Sequence, residues 1–472
     1  MSSLLLAERT STRSEGPTWP VSVLVLLAAF AAGVVAQGGY YLQGRTLLTV
    51  LVGVALLAAL WAHPWTRADH LPVLACGAAL AAWILVRAAL ADDYPTAIAA
   101  VATLACFCAV LVVLLRTDAL ERERTAHAVI GLGVLVAVTA WAGVAWRLPR
   151  LAVLVEHRVW RGASTLTYPN AAAALLVPLA LLAIALLIAP REAVDHRSRA
   201  IRAAAAYLLL VGVGATLSRA GVIALLVGLI VLAAIAGVRA TGWQVAPLAL
   251  GAAIAVGALL PAVPADTAPR PGLAVLGLLV GGAVAVGVGR LSTRPAVAVL
   301  ATTVALGGLA MWTQLGSGYL HDVLRSRGTL ASSGRTGATR AAFELVAQYP
   351  LTGTGMGRAR FFWSTDDGNG AVALYVHNEY LQMLVDVGVI GMVLLLCLLG
   401  AVAVTVRRGR TGHHRPGVRV GALAALAALA VHSAFDFLWH IPVLVLAAGL
   451  FVGLAGAATR EGTVPVTKEE TQ

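Results

Sequence analysis

Charge is scarce in this chain. Only 12% of its 472 residues are Asp, Glu, Lys or Arg, against about a quarter in soluble domains. Lys468 is the single lysine. With 60% hydrophobic residues, no water-soluble domain of this length hides its apolar surface. The positive balance, 34 Lys+Arg against 22 Asp+Glu, is that of cytoplasmic loops in a membrane protein, so nucleic acid is not expected as a partner. Cysteine is rare too. Cys76, Cys106, Cys108 and Cys397 all fall in apolar runs, and no disulfide framework or zinc spacing appears. There is no H-E-x-x-H, P-loop, G-x-S-x-G or paired-Asp motif. The glycines between 353 and 357 follow no strand, so they make no nucleotide fingerprint. No cofactor or metal is expected.

What fills the sequence instead is apolar runs. A spanning helix takes roughly 20 such residues. Runs near 20–36, 45–62, 71–90, 96–115, 127–146, 170–189, 201–217, 220–238, 245–262, 272–288, 295–312, 383–405, 420–437 and 441–458 predict an all-α polytopic transmembrane helix bundle of about 12–14 spans. Only Ser218-Arg219 separates two of them, which leaves open one long kinked or re-entrant element. The first run follows Arg9 and Arg13 as a signal peptide does, but it is long, lacks an A-x-A site and reads as a retained helix. Placing both termini in the cytoplasm puts 20 of the 34 Lys+Arg on the inner side and leaves the short outer loops nearly free of them. The organisation is then a cytoplasmic tail (1–19), a bundle (20–312), an extracytoplasmic loop (313–382), the last helices (383–458) and a second tail (459–472).

The loop of about 70 residues breaks the pattern of short connections, and long loops carry function. A helix over Arg335–Gln348 is predicted, ended by Pro350 and followed by a glycine-rich turn to Gly357. Arg335 and Arg340 lie on that helix, where a guanidinium is either a solvated surface group or a fork for phosphate oxygens. Arg219, with apolar neighbours, either snorkels or clamps an anion. His377 stands where the loop re-enters the membrane, with Asn378 as an N-cap and Tyr380 on its helical face; histidine exchanges protons near neutral pH. His432 and Asp436, four apart, share a face near the end of their span. Arg87 and Asn170 open onto the same side.

The order Pro169-Asn170, Ser218-Arg219-Ala220-Gly221, Gly334-Arg335, Pro350-x-x-Gly353-x-Gly355, His377-Asn378-x-x-Leu381-Gln382, Gly388-x-x-Gly391 and His432-x-x-x-Asp436 resembles the O-antigen ligase/polymerase superfamily over roughly 165–445. Thr339 stands where many relatives carry an aromatic residue. The resemblance implies a glycosyltransferase of the bacterial cytoplasmic membrane, independent of metal and ATP. Its donor is a glycan on polyprenyl (undecaprenyl) pyrophosphate, among membrane lipids. Its acceptor is a hydroxyl on a glycan, lipid or protein. Carried over, Arg219 and Arg335 bind the pyrophosphate and His377 is the base; Arg87, Asn170, Arg340, Asn378, Tyr380, His432 and Asp436 are candidates for the surrounding cavity. Two other classes compete. A transporter of a small solute or anion places its charges at midplane and uses broken helices. A structural partner in wall synthesis needs no pocket joining Arg219, Arg335 and His377.

Overall fold

The computed structural model describes residues 19–62, 71–155, 158–188, 195–288, 333–364, 369–409 and 416–456. The expected span 295–312, the 313–332 part of the loop and the tails at 1–18 and 459–472 lie outside the described residues. In chain order the helices are α1 (Val21–Val35), α2 (Leu42–Ala62), α3 (Leu71–Ala91), α4 (Tyr94–Leu115) and α5 (Ala119–Ala145). A hairpin follows, β1 (Ala152–Val155) and β2 (Val159–Gly162), then α6 (Pro169–Ile188), α7 (His196–Thr216), α8 (Arg219–Ala236), α9 (Val238–Leu259) and α10 (Pro271–Gly287). The rest is α11 (Ser333–Gln348), a second hairpin of β3 (Phe361–Ser364) and β4 (Gly370–Ala373), α12 (Glu379–Arg408), α13 (Pro416–Ser433) and α14 (Pro442–Gly456). Nine of the described helices, α2–α9 and α12, are long and apolar enough to cross a membrane; α1, α10, α13 and α14 are shorter and apolar. The chain is an all-α, multi-pass membrane protein. Each expected run outside 289–332 falls on a helix. The largest shift in a start is that of α5, which begins at Ala119 rather than near 127, because Asp118 and Glu121 exchange side-chain and backbone bonds at 2.7 and 2.8 Å as a capping box.

Helix α6 is the axis of the bundle. Its run of Ala, Leu, Val and Ile has no polar face, and a helix apolar all round is a buried one. It packs against α5, α7, α8, α13 and α14. Between helices in lipid the hydrophobic drive is lost, so small residues that permit close approach hold the contact. On α13 these are Gly421, against Leu182 and Ala185, and the buried Ala422, Ala425 and Ala428. The Ser218-Arg219 break separates two true helices. Leu217 turns the chain at φ +50°, and the Ser218 hydroxyl accepts the Gly221 amide at 3.1 Å to cap α8.

Helix α12 is broken at Gly388, where φ is +65° and ψ −170°. The glycine turn 350–355 is bonded into the break. Thr354 and Gly355 amides donate to the carbonyls of Val385 and Asp386, at 2.8 and 2.9 Å, and the amides of Val389 and Ile390 donate to Pro350 and Leu351, at 2.9 and 3.2 Å. Irregular backbone at membrane depth persists only where protein satisfies its polar groups, and here the turn does so on both sides of the break. Helix α3 holds the joint: Trp83 Nε1 donates to Val387 O, and Arg87 to Gly353 O, both at 2.9 Å.

Arg147, just past α5, donates to the carbonyls of Ala262, Pro264, Ala265 and Thr267. The same segment pairs with the first hairpin through Trp160 N–H to Val263 O, at 2.8 Å. Arg147→Ala is expected to cost about 2–3 kcal/mol, the worth of hydrogen bonds to a charged group, and to open residues 260–268 to protease. Wild-type proteolysis of that segment would contradict the role.

Candidate active site

Asp436 is the hub of a polar cluster at one end of the bundle. Helix α13 stops at Ser433, so Asp436 lies in the turn leading to α14, fully buried. A buried carboxylate needs donors on both oxygens, and it has them. Oδ2 accepts the Tyr168 hydroxyl at 2.7 Å and the Asn170 side-chain amide. The Arg335 guanidinium stands 4.0 Å from the same oxygen. Oδ1 accepts His377 Nδ1–H and the Phe437 amide, both at 2.9 Å. Burial alone would raise this carboxyl; the His377 hydrogen bond and charge, with the Tyr168 hydroxyl and Arg335, outweigh it and hold it below the usual carboxylate range. Burial, and then the charge of Asp436, push the Tyr168 phenol well up, so it stays a donor.

His377 sits in the left-handed region at φ +53°. That conformation costs a non-glycine residue about 1–2 kcal/mol, and the bond to Asp436 offsets it. Asn378 then caps α12 through Leu381 N–H, at 3.1 Å, so the imidazole projects from the turn just before the helix. With Nδ1–H given to a carboxylate, the lone pair is on Nε2. Among the described residues Nε2 has no hydrogen-bond partner, and the side chain is 29% exposed. The arrangement is a histidine–carboxylate dyad with an open basic nitrogen.

Two arginines stand on the Oδ2 side, and a third opens the adjoining helix. Arg335, on α11, also donates to the Phe435 carbonyl at 3.3 Å. Arg161, on β2, is buried and donates to Asn170 Oδ1 at 2.7 Å and to Thr216 O at 2.8 Å. It thereby ties α6 to the end of α7. Arg219 opens α8 three residues after Thr216, half-buried. Its helix packs on α6, with Gly221 against Ala173. Phe437 lies against His377, ring centroids 5.1 Å apart, and stacks on Tyr168 at 5.2 Å.

The structure thus brings together His377, Asp436, Arg335 and Asn170, with Arg219 on the adjoining helix start. It places other candidates elsewhere. Arg87 serves the Gly353 turn. Arg340 is exposed on α11. Tyr380 bonds the Ala430 carbonyl at 2.8 Å, joining α12 to α13. His432 is buried on α13, and neither ring nitrogen finds a hydrogen bond among the described residues. The expectation that His432 and Asp436 share one helical face is corrected: the helix ends between them, and Asp436 turns to His377 instead. Sequence reasoning missed Arg161 and Phe437. Arg161 passed as one more loop arginine; its signal was the alternating, apolar Val159-Trp160-Arg161-Gly162 around it.

Among the described residues no three His, Cys, Asp or Glu side chains converge as metal ligands do. Comparison with curated proteins finds no match. Residues 204–396 match the family model for O-antigen ligase, a segment that carries Arg219, Arg335 and His377. The match over this segment supports membership of the O-antigen ligase superfamily, whose members are membrane glycosyltransferases that work on lipid-linked glycans.

Proposed function

We propose that this protein transfers a glycan from a polyprenyl pyrophosphate carrier to an acceptor hydroxyl at the outer face of the cytoplasmic membrane. The His377–Asp436 dyad, backed by arginines, is the observation that carries the reading. His377 Nε2 takes the proton of the acceptor hydroxyl. The freed oxygen attacks the anomeric carbon as the bond to the pyrophosphate oxygen breaks, inverting that carbon. The bonding electrons leave on the carrier pyrophosphate, where Arg335 and Arg219 stabilise the growing charge. Asp436, ionised, holds the imidazole in the tautomer that accepts and stabilises its cation. The proton then passes from His377 to water. Arg161 acts through Asn170, steadying the side chain that steadies Asp436.

The test is transfer by purified protein from a lipid pyrophosphate-linked glycan. His377→Ala and Arg335→Ala are each expected to lose about 10²–10⁴-fold, the range of a general base or a charge stabiliser. Full activity in either variant overturns the assigned role. The transporter reading draws on the broken α12. However, the polar backbone groups at Gly388 are bonded by the 350–355 turn rather than left for a solute. Solute uptake by proteoliposomes, indifferent to lipid-linked glycan, would reverse this preference.

A further inference from the structure

Beside the dyad lies a second histidine–carboxylate pair that the reaction above does not use. Glu379 Oε1, buried, accepts the Trp439 amide and His440 Nδ1–H, the latter at 3.3 Å. The two pairs bridge the same two segments: 377 with 436, and 379 with 440. The Tyr375 ring packs against His440 with centroids 4.3 Å apart, and against Phe437 at 4.7 Å. Its hydroxyl is 3.2 Å from that of Tyr40, in the turn before α2. Arg45 donates to the Tyr40 carbonyl at 3.1 Å, and its Nε is buried with no hydrogen-bond partner among the described residues.

This cluster is half-open and its hydrogen-bonding capacity is not used up. Tyr40, Arg45, Tyr375 and His440 are all partly exposed. Two phenols paired with each other leave one hydroxyl hydrogen and several lone pairs unspent. His440 Nε2, like Arg45 Nε, has no partner among the described residues. Donors and acceptors set around aromatic rings suit a polyhydroxylated ligand.

Charge separates this half of the site from the other. On the Oδ2 side the Arg335 guanidinium stands at the carboxylate of Asp436 and Arg161 holds the Asn170 that bonds it, a gathering of positive charge that suits an anion. On the Tyr375 side the Arg45 guanidinium is matched by the Glu379 carboxylate, both acting electrostatically on the His440 ring between them. That half is close to neutral. His377 and the Phe437 amide hold the oxygen of Asp436 that the arginine side does not use. In an in-line displacement the nucleophile enters opposite the leaving group, so an acceptor approaching His377 from the side away from the arginines meets this cluster.

We propose that Tyr40, Arg45, Tyr375 and His440 form the subsite for a neutral sugar of the acceptor, with Glu379 fixing the tautomer of His440. The inference rests on the function proposed above. Its test is binding to the purified full chain in lipid nanodiscs. The probes are inorganic pyrophosphate for the arginine half, and a panel of neutral trisaccharides (maltotriose, mannotriose and N,N′,N″-triacetylchitotriose) for this half. Arg45→Gln and Tyr375→Phe, the latter keeping the ring stack, are each expected to weaken binding of a panel sugar about tenfold, the worth of one or two hydrogen bonds, and to leave pyrophosphate binding unchanged. Arg335→Ala should do the reverse. If wild type binds no sugar of the panel, if both variants bind as wild type does, or if they lose pyrophosphate instead, the subsite is overturned. If sugar binding behaves as stated but Arg335→Ala keeps full pyrophosphate affinity, the donor assignment fails and the subsite stands.

Discussion

Asp436→Asn will leave donor binding largely intact and cut glycan transfer by about 10³-fold, within the range of general-base loss. Asparagine has the same shape but a single acceptor oxygen; with that oxygen on the Tyr168 and Asn170 side those donors keep their acceptor, and an NH2 group faces His377 and the Phe437 amide. What changes is the partner of His377 Nδ1. A neutral amide neither selects the Nδ1–H tautomer nor stabilises the imidazolium that forms when the proton is taken. The readout is a drop in kcat with the donor KM nearly unmoved; a wild-type kcat would remove Asp436 from the mechanism. Asp436→Ala goes further. It strands the Tyr168 hydroxyl and the Asn170 amide without their common acceptor, which costs about 1–3 kcal/mol, as leaving a buried donor unsatisfied does. The carboxyl is held below its ordinary value. Its ionised form therefore stabilises the fold above about pH 4, and that contribution is lost as pH falls through the depressed value. The alanine variant should lose this acid limb of the thermal stability profile.

Gly388→Ala is expected to be the most damaging small substitution. Its backbone, at φ +65° and ψ −170°, lies in a region that only glycine occupies readily. An added Cβ would stand 2.3 Å from the Leu351 carbonyl oxygen. Strain and displacement together cost about 2–4 kcal/mol. Gly353, at φ +65° on the other side of the joint, meets Asp386 backbone at 2.6 Å in the same way. Because both substitutions break one joint, their effects should not add. Either alone frees the 350–355 turn, and the double variant should be only slightly worse. Thermal unfolding in detergent measures the first claim. Hydrogen exchange at the Val389 and Ile390 amides, which the turn protects, measures the second. Additive losses would mean that the turn and the broken helix are independent parts. The effect should reach transfer as well, since the turn and α12 together set where His377 emerges.

Much of this was legible in the linear chain. Runs of Ala, Val and Leu long enough to cross lipid determine helices, because no other local structure satisfies its backbone there. The capping residues Ser218 and Asn378 mark helix starts by purely local bonds. The polar insertion stood out against the runs, and with it Arg335 and His377 as candidates. The order of short motifs carried the family. None of this required knowing which helix neighbours which.

What the sequence did not determine is who pairs with whom. Helical spacing put His432 under Asp436, and that inference holds only while the helix continues; α13 stops at Ser433, and the carboxylate swings to a histidine 59 residues away. Arg161 looked like one of many loop arginines until a hairpin carried it under α6. Arg87 looked like part of the same cavity until the Gly353 turn claimed it. Gly388 sits in an apolar run that reads as an unbroken span; only the insertion of Pro350–Gly355 shows why glycine is there. Local spacing reports a chain's own hydrogen bonds. A site made where loops from five helices meet depends on packing between distant segments, and only the folded arrangement of those segments decides it.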